Sequence, residues 1–249
     1  IFKYAMLFAM VCSLTTALTS CSSNDDDTPQ TGQLSEGDKY LQKVLAANVD
    51  NTINPTYKAL ADGCEKLNNE LEALTPGSIT QQQVDNVCKT FLEARANYES
   101  SEAFLLGAAS HFLIDPHIDS WPLGLNELYN YLKADHKYKI TDQSILGFHG
   151  IEFILFRDGK PRKAAELNSH DSYNQAGIDF TIFSGTQELD YAKAVAEDLR
   201  NSVYRLECSW DENANKEHVK VLDELETVYK TDKGFSYGYE MKNAGDPTK

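Results

Sequence analysis

The chain has 249 residues, a formal net charge of −15 and 24% charged side chains. That length suffices for one sizeable domain or two small ones. The acidity excludes a nucleic-acid surface, because neutralising phosphates takes a basic face.

Lys3 is followed by an apolar run to Leu18. The run is shorter than the ~20 residues that span a bilayer, so residues 1–20 read as a signal peptide. Leu18-Thr19-Ser20-Cys21 resembles a bacterial lipobox. That resemblance implies cleavage before Cys21 and a lipid on its sulfur; an ordinary signal peptide with a chance cysteine is the plain alternative. Residues 21–37 read as a disordered tether carrying the acidic run Asp25-Asp26-Asp27. An acidic run behind a lipidated cysteine is similar to the surface-export signal of Bacteroidetes lipoproteins. The expectation is an outer-membrane lipoprotein, facing the periplasm or the outside and held to the membrane by its lipid.

Residues 38–249 read as one helical domain. Tyr57, Leu60, Cys64, Leu67, Leu71 and Leu74 recur at alternating steps of three and four, the spacing of a bundle seam. Pro55 is expected to kink or split this first helix. Pro76-Gly77 turns the chain, and Thr80 with Gln83 forms a capping box. Val84, Val87, Phe91, Ala94, Tyr98, Ser101 and Leu105 repeat the rhythm, so the two segments predict a long antiparallel hairpin. Cys64 and Cys88 lie nearly symmetric about its turn and are candidates for a disulfide, or for two buried thiols. Residues 110–122 read as irregular and 123–134 as a short helix. A further helix carries His149, capped by Thr141 or Asp142 and ended by Gly159 and Pro161. Residues 160–184 read as loop with a short helix, 186–209 as a long helix, and 219–229 as the last clear one. No stretch alternates as strand. The class is all-α, a bundle of about four to six helices.

The polar residues that stand out lie in three of these segments. Ile145 to Phe156 is apolar on every side, the pattern of a helix buried all round, yet it carries His149 and Glu152 three positions apart on one face. A buried carboxylate needs a partner. Arg95, Glu99 and Glu102 share one face of the hairpin's second helix; they serve either as a salt-bridge network or as a cation site. Asp115 and Asp119 flank Pro116 in the following loop, as turn and cap residues or as neighbours of His149. The zinc-peptidase pattern His-Glu-x-x-His is absent, since Phe occupies position 153. A His-x-x-Glu pair can still supply two zinc ligands; a third would come from His111 or His117. One imidazole with several carboxylates suits harder cations, iron among them.

Gly147-Phe148-His149-Gly150-Ile151-Glu152 resembles the Gly-x-His-x-x-Glu signature of the imelysin family, also called peptidase M75. Residues 94–104, 114–122 and 191–210 resemble further blocks of that family in the same order. The resemblance implies an imelysin-like fold of which this chain holds the first of two helical regions. It implies a site at His149, Glu152, Glu99 and Glu102, with Asp119 and Arg95 as orienting residues, and a metal ion, iron or zinc, as cofactor. It further implies a role in iron acquisition beside outer-membrane iron or haem uptake components. The alternatives are a zinc-dependent peptidase and a non-catalytic accessory protein that binds a receptor or haem protein.

Overall fold

The computed structural model describes residues 34–134 and 139–246. The expected signal peptide and the expected lipidation at Cys21 fall outside the described residues. Helix α1 (Glu36–Asn48) starts at Ser35, whose hydroxyl accepts from the Asp38 backbone while the Asp38 carboxylate accepts from the Ser35 backbone. A π-helical turn, Val49–Ile53, then leads into α2 (Asn54–Glu72). Pro55 sits in the first turn of α2, directly after the π-helical turn. The expected split of the first helix therefore takes the form of a widened turn.

The α2 seam from Tyr57 to Leu74 is buried. Gly77 turns the chain at φ +86°, and the Thr80–Gln83 capping box opens α3 (Gln81–Ser101). The third element of the core is α9 (Gly185–Trp210), which packs along α2 and buries Leu189, Val195, Leu199, Val203 and Leu206. Helix α7 (Gly147–Leu155) packs on α9 and α3, with Phe148 against Phe91 and Tyr98 at ring separations of 5.9 and 5.5 Å. The all-α bundle read from the sequence is the observed architecture.

Short elements bridge these helices. A 3-10 turn Glu102–Phe104, α4 (Ala108–His111), α5 (Ile114–Ile118), α6 (Leu125–Lys133) and a 3-10 turn Gln143–Ile145 connect α3 to α7. Between α7 and α9 lie β1 (Phe156–Arg157), β2 (Lys160–Pro161), α8 (Ala164–Leu167), β3 (Asn174–Gln175) and β4 (Ile178–Asp179). These strands form two antiparallel ribbons; β1 takes the end of the segment read as the His149 helix, the other three strands lie in the segment read as loop with a short helix, and α8 is that short helix. Each turns through two residues of positive φ, Asp158-Gly159 and Ala176-Gly177, the geometry of a tight hairpin. Two-residue strands are too short to show alternation. Helices α10 (Lys216–Glu224) and α11 (Tyr237–Lys242) pack on α9, and α11 also on α1.

The cap assigned to the His149 helix is corrected. The Asp142 side chain accepts from Ser144 and caps the 3-10 turn, whereas the N-cap of α7 is Leu146, which makes no side-chain cap. The disulfide expectation is also corrected: Cys64, Cys88 and Cys208 are free and buried. The Cys88 thiol donates to the Leu155 carbonyl at 3.5 Å, so it turns toward the end of α7. Spacing about the turn sets the height of a residue in the hairpin but not which neighbour it faces. Burial pushes the Cys88 thiol up to about 12.

A buried charge network fixes the segment behind α7. Arg162 is 0% and Glu188 1% exposed in their side chains, and they pair at 2.6 Å. Arg157 joins Glu188 at 3.4 Å and Asp171 at 2.7 Å, while Arg162 also donates to the Ile154 carbonyl. Burial raises the Glu188 carboxyl above its ordinary value, and the Arg162 guanidinium opposes that rise.

Removing one partner strands the other charge in the interior, at a cost of about 3–5 kcal/mol. Glu188→Ala is expected to lower the melting temperature by roughly 10 °C or more. A change indistinguishable from a surface substitution would contradict the structural role of the pair. The free cysteines predict that residues 34–249 titrate three thiols with a thiol reagent after unfolding without reductant. A count of one would restore the bridge.

Candidate functional site

Helix α7 starts at Gly147 with φ +76°, and a Cβ there would lie 2.2 Å from the Ile118 carbonyl oxygen. Glycine alone permits that approach. The close packing of α7 against the end of α5 sets His149 beside Asp119, the residue that closes α5. At Gly150 a Cβ would lie 2.4 Å from the Tyr191 hydroxyl, which donates to the Ile145 carbonyl at 2.5 Å. The two glycines flanking His149 thus let its helix seat tightly.

His149 is caught between two carboxylates. Its Nε2 lies 3.2 Å from Asp119 Oδ1 and its Nδ1 3.0 Å from Glu152 Oε2. Both contacts are hydrogen bonds when both ring nitrogens carry protons. Asp119 in turn receives Arg95 through both of its oxygens, Nη2 reaching Oδ2 at 3.3 Å. Arg95 Nε reaches Glu99 Oε1 at 2.6 Å. The guanidinium lies 5.0 Å from the Tyr98 ring centre and 5.3 Å from that of Phe148. A single series results: Glu152, His149, Asp119, Arg95, Glu99. Its three central side chains are 18–22% exposed, and its carboxylate ends are 53% and 48% exposed.

Five of the six site residues read from the sequence therefore come together, and one does not. Glu102 is exposed at the start of the 3-10 turn and joins none of these pairs. Helix α3 ends at Ser101, and the tighter turn that follows takes Glu102 off the α-helical period. The expectation that Glu152 is buried is corrected as well. Helix α7 is covered on one side by α3 and α9, and it presents His149, Glu152 and the half-buried Phe153 on the other. The remaining candidates are occupied elsewhere. His117 pairs with Asp198 of α9 at 2.6 Å, His111 with the Tyr237 hydroxyl, and Asp115 accepts from the Tyr98 hydroxyl.

A cavity of about 290 Å³ opens beside the series, with His149 and Glu152 on its wall and Trp121, Leu123, Leu125 and Phe153 around them. Sequence reasoning passed over Trp121 as a site residue. Its indole is 73% exposed and stands 4.7 Å from the His149 ring. The available signal was a large aromatic side chain in a polar, proline-broken loop.

Asp119 and Glu152 meet opposite edges of the imidazole, so they do not converge on one point. Among the described residues no group of three His, Cys, Asp or Glu side chains is placed to hold a metal ion. The residues present do not form a closed metal site. Two of them, His149 and Glu152, can serve as donors together.

The His149 hydrogen bond holds the Glu152 carboxyl below its ordinary 4.5, against the opposing effect of burial. A carboxyl depressed in the folded state stabilises the fold above its unfolded value, and that contribution is lost as the pH falls through the folded value. Wild type is accordingly expected to be more stable than Glu152→Gln at pH 6, with a smaller difference at an acidic pH below the depressed carboxyl value. Urea unfolding at both pH values checks this. An unchanged difference would remove the His149–Glu152 bond from the account.

Comparison with known proteins agrees with the fold. The imelysin (peptidase M75) family model matches residues 53–241. Iron-regulated protein A of Synechococcus elongatus is 27% identical over 119 residues, 48% of this chain and 33% of its own length. The crystal structure of an iron-regulated protein A precursor from Parabacteroides distasonis aligns with a TM-score of 0.65 at 25% identity, over 86% of this chain and 52% of that one. An imelysin-like protein from Psychrobacter arcticum aligns at 14% identity with a TM-score of 0.49, over 85% of this chain and 59% of that one. The chain thus spans a third of the curated relative and about half of the first of these solved structures. With most of its length matched by the family model, the chain belongs to the imelysin (peptidase M75) family.

Proposed function

We propose that this chain is an iron-binding protein in which iron, free or within a metal-bearing ligand, is cargo held at His149 and Glu152. The observation that carries the reading is the spacing of that pair. Adjacent nitrogen and oxygen ligands at about 2.0–2.2 Å from a metal stand roughly 3 Å apart. His149 Nδ1 and Glu152 Oε2 are 3.0 Å apart and on one helical face. A metal replacing the shared proton is gripped at two points. Water or donors of the ligand fill the remaining positions, which suits cargo that must leave again. Imidazole with carboxylate is a donor set that iron accepts. Asp119, oriented by Arg95 and Glu99, holds the other ring nitrogen and so fixes the ring. The names of the relatives, iron-regulated protein A in two organisms, support iron over other metals.

The same proposal places the protein at the outer membrane. The lipobox-like Leu18-Thr19-Ser20-Cys21 supports a lipid anchor on Cys21, from which cargo passes to an iron or haem uptake component. A zinc peptidase would use the same two donors, with a third ligand and a base besides. No third donor stands with the pair among the described residues.

Calorimetric titration with ferrous and zinc salts tests the reading. Wild type is expected to bind ferrous iron, and His149→Ala and Glu152→Ala to weaken binding by about tenfold or more. Equal binding by wild type and both variants would contradict it. Cleavage of unfolded protein substrates with added zinc, lost in His149→Ala, would put the peptidase in its place.

A further inference from the structure

The cavity beside His149 has a chemistry that a metal ion alone does not use. Its volume of about 290 Å³ stands at the lower end of small-molecule sites. Leu123 and Leu125 line it at the start of α6, Phe153 lines it from α7, and the Trp121 indole stands at its wall. An indole left 73% exposed retains an apolar face for a ligand to cover, and it is the side chain whose face attracts cations best.

The polar groups of the wall select the charge. Glu152 is the anionic group lining the cavity, and no lysine or arginine lines it. One Glu152 oxygen, Oε2, is taken by His149, while Oε1 makes no hydrogen bond among the described residues. His149 turns both nitrogens to Asp119 and Glu152. No imidazole N–H is therefore left to receive an anion.

We propose that this cavity binds a small organic cation with a flat, apolar body: the body lies against Trp121, Leu123, Leu125 and Phe153, and the charged head meets Glu152. The proposal rests on the reading of the His149–Glu152 face as the ligand site, and it assigns the organic part of what binds there.

Benzylammonium is the probe, with benzyl alcohol and benzoate as its neutral and anionic counterparts, titrated calorimetrically and by tryptophan emission into the full chain. The protein has two tryptophans, and Trp210 is 2% exposed, so a change in emission reports Trp121. Benzylammonium is expected to bind and perturb that emission, benzyl alcohol to bind about fivefold or more weakly than it, and benzoate not to bind. Trp121→Ala and Glu152→Gln are each expected to weaken benzylammonium about fivefold or more. Melting curves confirm that both variants fold, and Trp121 is exposed enough that its loss leaves the core intact. Benzoate binding as well as benzylammonium, no binding of benzylammonium at millimolar concentration, or a Trp121→Ala variant that binds it like wild type would each overturn the proposal. Ferrous iron titrated into the same proteins separates the two readings. Iron bound by wild type without benzylammonium removes the cation subsite alone, whereas loss of both removes the ligand site itself.

Discussion

Asp119 is the side chain on which the site depends, because it is claimed from two directions by groups that arrive on different helices. Arg95 comes from α3 and His149 from α7, and the carboxylate between them ends the short helix α5. Neither helix sets this meeting alone. Gly147 allows the Ile118 carbonyl to come within the space a Cβ would fill, and that approach puts the end of α5 and the start of α7 at the required distance. Once Asp119 is fixed, the imidazole has one edge committed and presents the other to Glu152 on the cavity side. The ring is then oriented before any ligand arrives, which spares binding the cost of ordering it.

The rest of the molecule keeps this arrangement rigid with charges buried away from the cavity. Arg162 and Glu188 tie the segment after α7 to α9. On another side of α9, His218 is fully buried, stacked on Tyr204 at 3.7 Å and bonded through Nδ1 to Glu207 at 2.5 Å. The Asn215 amide stands 3.2 Å from its Nε2, and the Asn215 oxygen caps α10. Each cluster joins a peripheral segment to the long helix by directional bonds in a low-dielectric setting, where an unmatched partner is costly. Helix α9 thus anchors the peripheral segments, and the site is assembled from shorter elements that pack around it.

How far the sequence discloses this depends on the physical range of each feature. The α2–α3 hairpin is legible because burial imposes a three-and-four spacing over many residues, and the Thr80–Gln83 capping box marks the start of its second helix locally. Arg95, Glu99, Asp119, His149 and Glu152 are legible as a set through the family motif and its companion blocks. What the sequence does not disclose is set by tertiary direction. The apolar run around His149 suggests burial on all sides, but Phe153 is half-buried against the cavity and Glu152 is exposed. Glu102 fits the helical face by counting, yet α3 has ended one residue earlier. Cys64 and Cys88 are symmetric in the hairpin, yet the Cys88 thiol faces α7. The two ribbons turn on pairs of residues with positive φ, Asp158-Gly159 and Ala176-Gly177; Asp-Gly favours such a turn, but the two-residue strands beside it carry no alternation to reveal a ribbon, and Ala at 176 gives no turn signal of its own.

The central claim is that His149 and Glu152 hold iron together, and X-ray absorption at the iron edge addresses it without reference to any activity. For iron bound to the full chain, the account predicts a first shell containing one imidazole nitrogen and a carboxylate oxygen at about 2.0–2.2 Å, with the imidazole signal lost in His149→Ala. An iron shell without imidazole, unchanged by His149→Ala, would contradict it.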